Sequence, residues 1–307
     1  MNSNVHPSQK AEEYICVIEP AIGDTPLARI FNSIDTQWVQ LSAEIVIVAT
    51  ANSAWLYQPR SLKSLDRYGQ SMTGFSNSVC STQNLLDAAI AAAYSQYTEI
   101  MLPELTLELW IWQLAGHYHL TCLTPKIMRE AAKIFMKGDQ PILANWARSK
   151  AQREKEYNRT TLQDIEYLGY NAQAVTSEFH PPQATSLLEY LQQEQTPDPF
   201  LCVGYSYAIE RIATRIEQEY IQLATGILPP SLTCLTKSTS RPWLYGSVGV
   251  DAGDVQETIE VVARLSAPER IRIVKACYDT ALLCFHRSPQ SLASDWQTKP
   301  ILPSLKR

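Results

Sequence analysis

From residue 81 onward the apolar positions recur every three or four residues, which is the period of an α-helix with one face buried. Ser81-Thr82 opens a first run to Ile100, with Leu85, Leu86, Ala89, Ala92 and Ala93 on its inner side. Pro103 opens a second run carrying Leu105, Leu109, Trp112 and Leu114. Thr124-Pro125 reads as an N-cap with proline in the first turn, and Gly138 ends that helix. Asp139-Gln-Pro141 starts the next, which runs to Leu168 with Gly169 after it. Pro181-Pro182 precedes a short helix to about Gln195, and Thr196-Pro-Asp-Pro starts a long one over 199–225. A helix over 244–264 follows, then Ser266-Ala-Pro-Glu269, a capping box for a last helix to about Phe285. The pattern predicts an all-α fold, a bundle of seven to eight helices over residues 81–289.

The ends differ in texture. Residues 1–32 are polar and punctuated by Pro and Gly, and predict a loosely packed arm. Residues 34–57 carry Leu41, Ile45 and Val48 at helical spacing and read as a helix, although Ile45-Val-Ile-Val fits a strand equally well. A Ser/Arg/Gly loop follows over 58–80, and a Pro/Ser-rich flexible tail occupies 290–307. The expected partition is an N-terminal arm and helix (1–80), a helical bundle (81–289) and a tail (290–307).

Composition narrows the class. The net charge of −5 comes without a basic stripe, which argues against nucleic acid as the main partner. Seven dispersed cysteines without a Cys-x-x-Cys pair suit reduced thiols and a cytoplasmic setting. The first eight residues lack a secretory pattern, and the most apolar window, Ile45 to Trp55, is too short to span a bilayer. Gly-rich phosphate loops, Ser-His-Asp signatures and nucleotide fingerprints are missing.

Candidate chemistry lies in three stretches: Lys150-x3-Glu154-x2-Tyr157, Gly204-Tyr-Ser-Tyr-Ala-Ile-Glu210, and Ser247-x3-Asp251-x2-Asp254. Positions i, i+4 and i+7 share one helical face, so each stretch turns its polar groups the same way. Buried polar groups at this density are costly unless paired, and such clusters mark sites. A competing reading places Lys150, Glu154 and Glu156 on a solvated face of alternating charge. Glu210, among Tyr205, Ala208, Ile209 and Ile212, fits a solvated position poorly.

These stretches, with Asp164-Ile-Glu-Tyr-Leu-Gly169 and the Glu257-Thr-Ile-Glu-Val-Val-Ala-Arg-Leu-Ser continuation, resemble the heme-oxygenase-like diiron oxidase and oxygenase superfamily. That superfamily includes iron-containing redox enzymes and shares its fold with thiaminase-like and pyrroloquinoline-quinone-synthase-like proteins. The resemblance covers residues 85–285 in approximate terms and implies a seven-helix fold and a small-molecule oxidoreductase of secondary or cofactor metabolism. In the diiron members the ligands are a Glu and a His seven residues apart, a lone Glu, then His-x3-Asp-x2-His. Carried onto this chain, they fall on Lys150 and Tyr157, on Glu210, and on Ser247, Asp251 and Asp254. Only Glu210 and Asp251 keep the family's residue, so the resemblance implies a degenerate centre.

Three readings follow. Lys150, Tyr157, Glu210 and Asp251 form a cofactor-free acid–base site; or the chain binds a small molecule or a protein without turnover. In the third, Glu154, Glu210, Asp251 and Asp254 hold Mg²⁺ or Mn²⁺, which prefer oxygen ligands. The expected partner is a small-molecule ligand, with a homodimer compatible, and with neither nucleic acid nor membrane. His117 and His119, two apart, point to different sides of a helix and make a poor metal pair. His180 and His286 sit where a loop or helix end is expected, and neither suits an axial heme ligand.

Overall fold

Ile45-Val-Ile-Val resolves its own ambiguity as a strand. In the computed structural model, β1 (Gln37–Ser42), β2 (Ile45–Ala49), β3 (Ala54–Tyr57) and β4 (Ser71–Thr73) form an antiparallel sheet of order β3-β2-β1-β4. This replaces the helix expected over 34–57, and places a strand in the expected 58–80 loop. All five residues of β2 are buried. A strand covered on both faces shows no alternation of apolar and polar residues, so its pattern cannot be told from a buried helix. The described residues are 36–42, 44–52, 54–57, 71–73, 79–96, 106–192, 198–214, 250–286 and 301–307. The arm over 1–32, Pro103, Ser247 and the helical stretches expected over 215–225 and 244–249 lie outside them.

Eight helices follow among the described residues: α1 (Val79–Tyr94), α2 (Leu107–Lys137), α3 (Pro141–Tyr167), α4 (Ala172–Glu178), α5 (Pro182–Gln192), α6 (Pro199–Thr214), α7 (Val250–Ala263) and α8 (Ala267–Phe285). The chain packs as two compact units. The first contains the sheet, α1, residues 203–209 of α6, and residues 255–285. Helix α1 lies against β1, β2 and β3, and α8 against β1 and β4. Buried Gln37 donates from Nε2 to Ser81 Oγ at 2.9 Å, so Ser81, expected as a helix cap, instead ties α1 to the sheet. Asn84 Nδ2 reaches the Thr50 carbonyl at 2.9 Å. Residues 88–93 of α1 are Ala or Ile and all are buried, as befits a helix covered on every side. Helix α8 begins with the expected capping box: Glu269 Oε2 accepts from Ser266 N at 2.8 Å and from Ser266 Oγ at 2.6 Å.

Gly204 explains how α6 and α8 meet inside this unit. A Cβ at that position would lie 2.5 Å from the Ile273 carbonyl oxygen, 2.6 Å from Ala276 Cβ and 2.7 Å from Cys277 N. Only a residue without a side chain lets the two backbones approach so closely. Three residues on, Tyr207 donates to Asp87 Oδ1 of α1 at 2.8 Å.

The second unit contains, of the described residues, 106–192, 198–202, 210–214, 250–254, 286 and 301–307. Its frame is a hairpin of α2 and α3 around Gly138, Asp139 and Gln140, with Asp139 at φ 56°. Thr106 caps α2 by accepting from Leu109 N at 3.2 Å. Helix α2 runs unbroken through Thr124-Pro125, where sequence predicted a new start. Pro125 lacks the N–H that position 121's carbonyl would receive. Nearby, the Thr121 hydroxyl bonds back to His117 O at 2.9 Å and that of Thr124 to Leu120 O at 2.7 Å. Threonines that hydrogen-bond to the preceding turn resemble caps in sequence while sitting inside a helix.

Proline at its first position starts α3 and Gly169, with φ 86°, follows its end, both as predicted. Helix α4, not foreseen, is capped by Asn171, whose Oδ1 accepts from Ala174 N at 3.0 Å. The expected tail over 290–307 ends in structure: a 3-10 turn, Leu302–Leu305, buries Leu302 against a core that includes Trp110, Ile165, Tyr170 and Val175. Asn171 N donates to Leu305 O at 2.9 Å and Arg307 N to Gly169 O at 3.0 Å.

Candidate functional site

The polar face of α3 turns inward within the second unit. Lys150 is 1% exposed, although it stands in a run of alternating charges. Its ammonium forms a close ion pair with Glu210 Oε1 of α6 and lies 3.1 Å from Asp254 Oδ2 of α7. Arg153 Nε, one turn along α3, is 3.3 Å from the same Asp254 oxygen. Glu210 and Asp254 are themselves only 9% and 8% exposed. The reading of this stretch as a solvated face therefore fails for Lys150, and the three helices do share a polar centre.

Two cations, Lys150 and Arg153, thus lie against two carboxylates, Glu210 and Asp254. In a low-dielectric interior such pairing is what makes ionised side chains tolerable. The sequence placed Lys150, Glu210 and Asp254 here, and the structure brings those three together. Glu154 is part-buried on the same helix, while the side chains of Tyr157 and Asp251 lie outside the described residues. Arg153 was missed. Its signal was its spacing, three residues beyond Lys150 and therefore on the same face.

This arrangement bears on metal binding. A cation shared by Glu210 and Asp254 would have to sit beside the Lys150 ammonium, at like-charge distances of a few ångströms. On the alignment that the resemblance implies, the histidine ligands that hold ferrous iron are replaced by Tyr157, Ser247 and Asp254, and a bridging carboxylate by Lys150. Lys150, Glu210 and Asp254, the aligned positions whose side chains the structure describes, do not together suit a diiron centre. Among the described residues no group of three His, Cys, Asp or Glu side chains could hold a metal ion.

The histidines are placed elsewhere in the second unit. His119 stacks on His180 with ring centroids 4.5 Å apart, and its Nε2 is 2.8 Å from Phe179 O. Sequence separation hid this pairing of a helix residue with a loop residue. His117 points to α3, with Nδ1 3.2 Å from Thr161 Oγ1. Withdrawal from water pushes its pKa from 6.5 down to about 3. Between those values the unfolded chain binds a proton at His117 that the folded chain refuses, so the contribution of this residue to stability declines as pH falls from 6.5 towards 3. His117→Gln should flatten the stability–pH curve between pH 6.5 and 5, above most carboxylate titration, when urea unfolding is followed at several pH values. An unchanged slope would contradict the assignment.

No protein-family model matches this chain, and no curated protein matches it. One solved structure does: the crystal structure of a domain of unknown function with a heme oxygenase-like fold from Shewanella denitrificans OS217. The chain is similar to that domain. Identity is 19% over 73% of this chain and 92% of the other, with a TM-score of 0.49. A likeness at this level transfers no residue roles. No helix among the described residues is long and apolar enough to cross a membrane.

Proposed function

We propose that this chain is a heme-oxygenase-like, metal-independent protein that binds a small molecule, and that its polar centre is an ion-paired lock between helices. The observation that carries this reading is the Lys150 ammonium held between Glu210 and Asp254. A cation built into the chain supplies the neutralising charge that a metal supplies in carboxylate-lined bundles. Purified protein from iron- and manganese-supplemented culture should contain neither metal in stoichiometric amount. About two irons per chain, the loading of a di-iron carboxylate site, would overturn the reading.

A second reading keeps the same residues as a cofactor-free acid–base enzyme of secondary or cofactor metabolism. It has Lys150 and Glu210 as charge partners, Asp251 as base and Tyr157 as proton donor. Arg153 favours it, because its side chain is 31% exposed and so extends the buried charges towards solvent. The two readings separate on the fate of a bound ligand. A binding protein returns it unchanged after long incubation, whereas an enzyme converts it and loses conversion in Glu210→Gln.

A further inference from the structure

The second unit holds a groove that none of the foregoing chemistry uses. One wall is a stripe of α2, in which Leu123, Ile127, Ala131 and Ile134 recur at helical spacing; the other is formed by the end of α5 and the start of α6, including Leu191 and Cys202. Burial pushes the Cys202 thiol up to about 12, with Asp198 adding to the shift, so the group behaves as a small neutral side chain. The groove is open to solvent on one side and holds about 220 Å³. At roughly 30 Å³ for each water-sized group, that is room for about seven non-hydrogen atoms.

The charges at its rim are unequal. Lys126 and Glu130 both line it. The Glu130 carboxylate accepts from Lys133 Nζ at 2.7 Å, and that hydrogen bond, with the nearby Lys126 and Arg129 charges, holds its carboxyl below the usual range. Lys126 makes no hydrogen bond or ion pair among the described residues. The rim therefore presents the exposed Lys126 ammonium beside an apolar floor. Small-ligand sites have this form: mostly apolar walls and a few polar groups that orient the ligand.

We propose that this groove binds a small carboxylic acid with a short apolar tail, the carboxylate on Lys126 and the tail between Ala131, Leu191 and Cys202. The proposal rests on the small-molecule-binding reading above and names its ligand class. A short tail suffices to fill the apolar floor, and the Lys126 ammonium disfavours an amine.

The test uses the full chain and sodium hexanoate, 1-hexanol, hexylamine and sodium laurate as probes in isothermal titration. Hexanoate should bind saturably, at least about 10-fold more tightly than hexanol, with hexylamine weaker still and laurate no tighter than hexanoate. Lys126→Gln should erase the preference for hexanoate over hexanol and leave hexanol binding unchanged. Ile134→Glu, at a position 36% exposed and so tolerant of charge, should also weaken hexanoate. Circular dichroism checks that both variants fold. Absence of saturable hexanoate binding, equal affinity for hexanol, tighter binding of laurate, or indifference to Lys126→Gln each overturns the proposal. Metal content decides the parent reading separately, so either can fail alone.

Discussion

Lys150→Met should lower the stability of the chain by about 3–5 kcal/mol, the range for removing one partner of a buried ion pair. Methionine preserves much of the side-chain volume, so the loss comes from charge. Glu210 and Asp254, both under 10% exposed, would lose the ammonium that stands between them, while Arg153 Nε stays 3.3 Å from Asp254. Adding Glu210→Gln to Lys150→Met should recover a good part of the loss, because it neutralises the buried carboxylate that Lys150 pairs with. The two effects are then strongly non-additive. Urea unfolding of the parent, both single variants and the double variant gives the cycle. A Lys150→Met loss below about 1 kcal/mol, the range of solvent-exposed pairs, would show that the cluster is wet and that it locks nothing.

Gly204→Ala should cost about 2 kcal/mol or more net. Alanine is the better helix former by about 1 kcal/mol, and that gain works against the expected loss. The contacts decide the sign. Two of the three atoms nearest the added methyl, Ile273 O and Cys277 N, are backbone, so relief requires α6 and α8 to move apart rather than one side chain to rotate. Separation would also strain the Tyr207–Asp87 hydrogen bond, which belongs to the same stretch of α6. Gly204→Ala with unchanged unfolding midpoint and slope would mean that the helices do not approach closely enough for a methyl at 204 to meet Ile273 O and Cys277 N.

Much of the helical part was legible because its punctuation is local chemistry. Pro141, Gly169 and Ser266-x-x-Glu269 act through their own backbone neighbours, and each marks a boundary that the structure keeps. The failures arise where tertiary surroundings decide. Thr124-Pro125 has the residues of a helix start, and only the continuous packing of α2 distinguishes it from one. Ile45–Ala49 is buried on both faces, which erased the alternation that identifies a strand. In the polar centre, Lys150, Glu210 and Asp254 stood out through spacing and through polar groups in apolar surroundings. Arg153 was hidden by a run of charges that normally marks a wet surface. The groove was hidden differently: a stripe of Leu, Ile and Ala on α2 reads as ordinary core until the opposite wall is known to leave room beside it.

The sheet carries a consequence for how the chain can go wrong. Ile45-Val-Ile-Val-Ala49 is uncharged, β-branched and free of proline, the kind of short window that stacks into cross-β fibrils when its edges are open. In the folded chain it is paired on both sides, by β1 and by β3. The outer strands are only four and three residues long, and so offer little template for an incoming chain. Protection from self-assembly thus depends on β1 and β3 closing over this strand, and the chain is most vulnerable in the interval before they do.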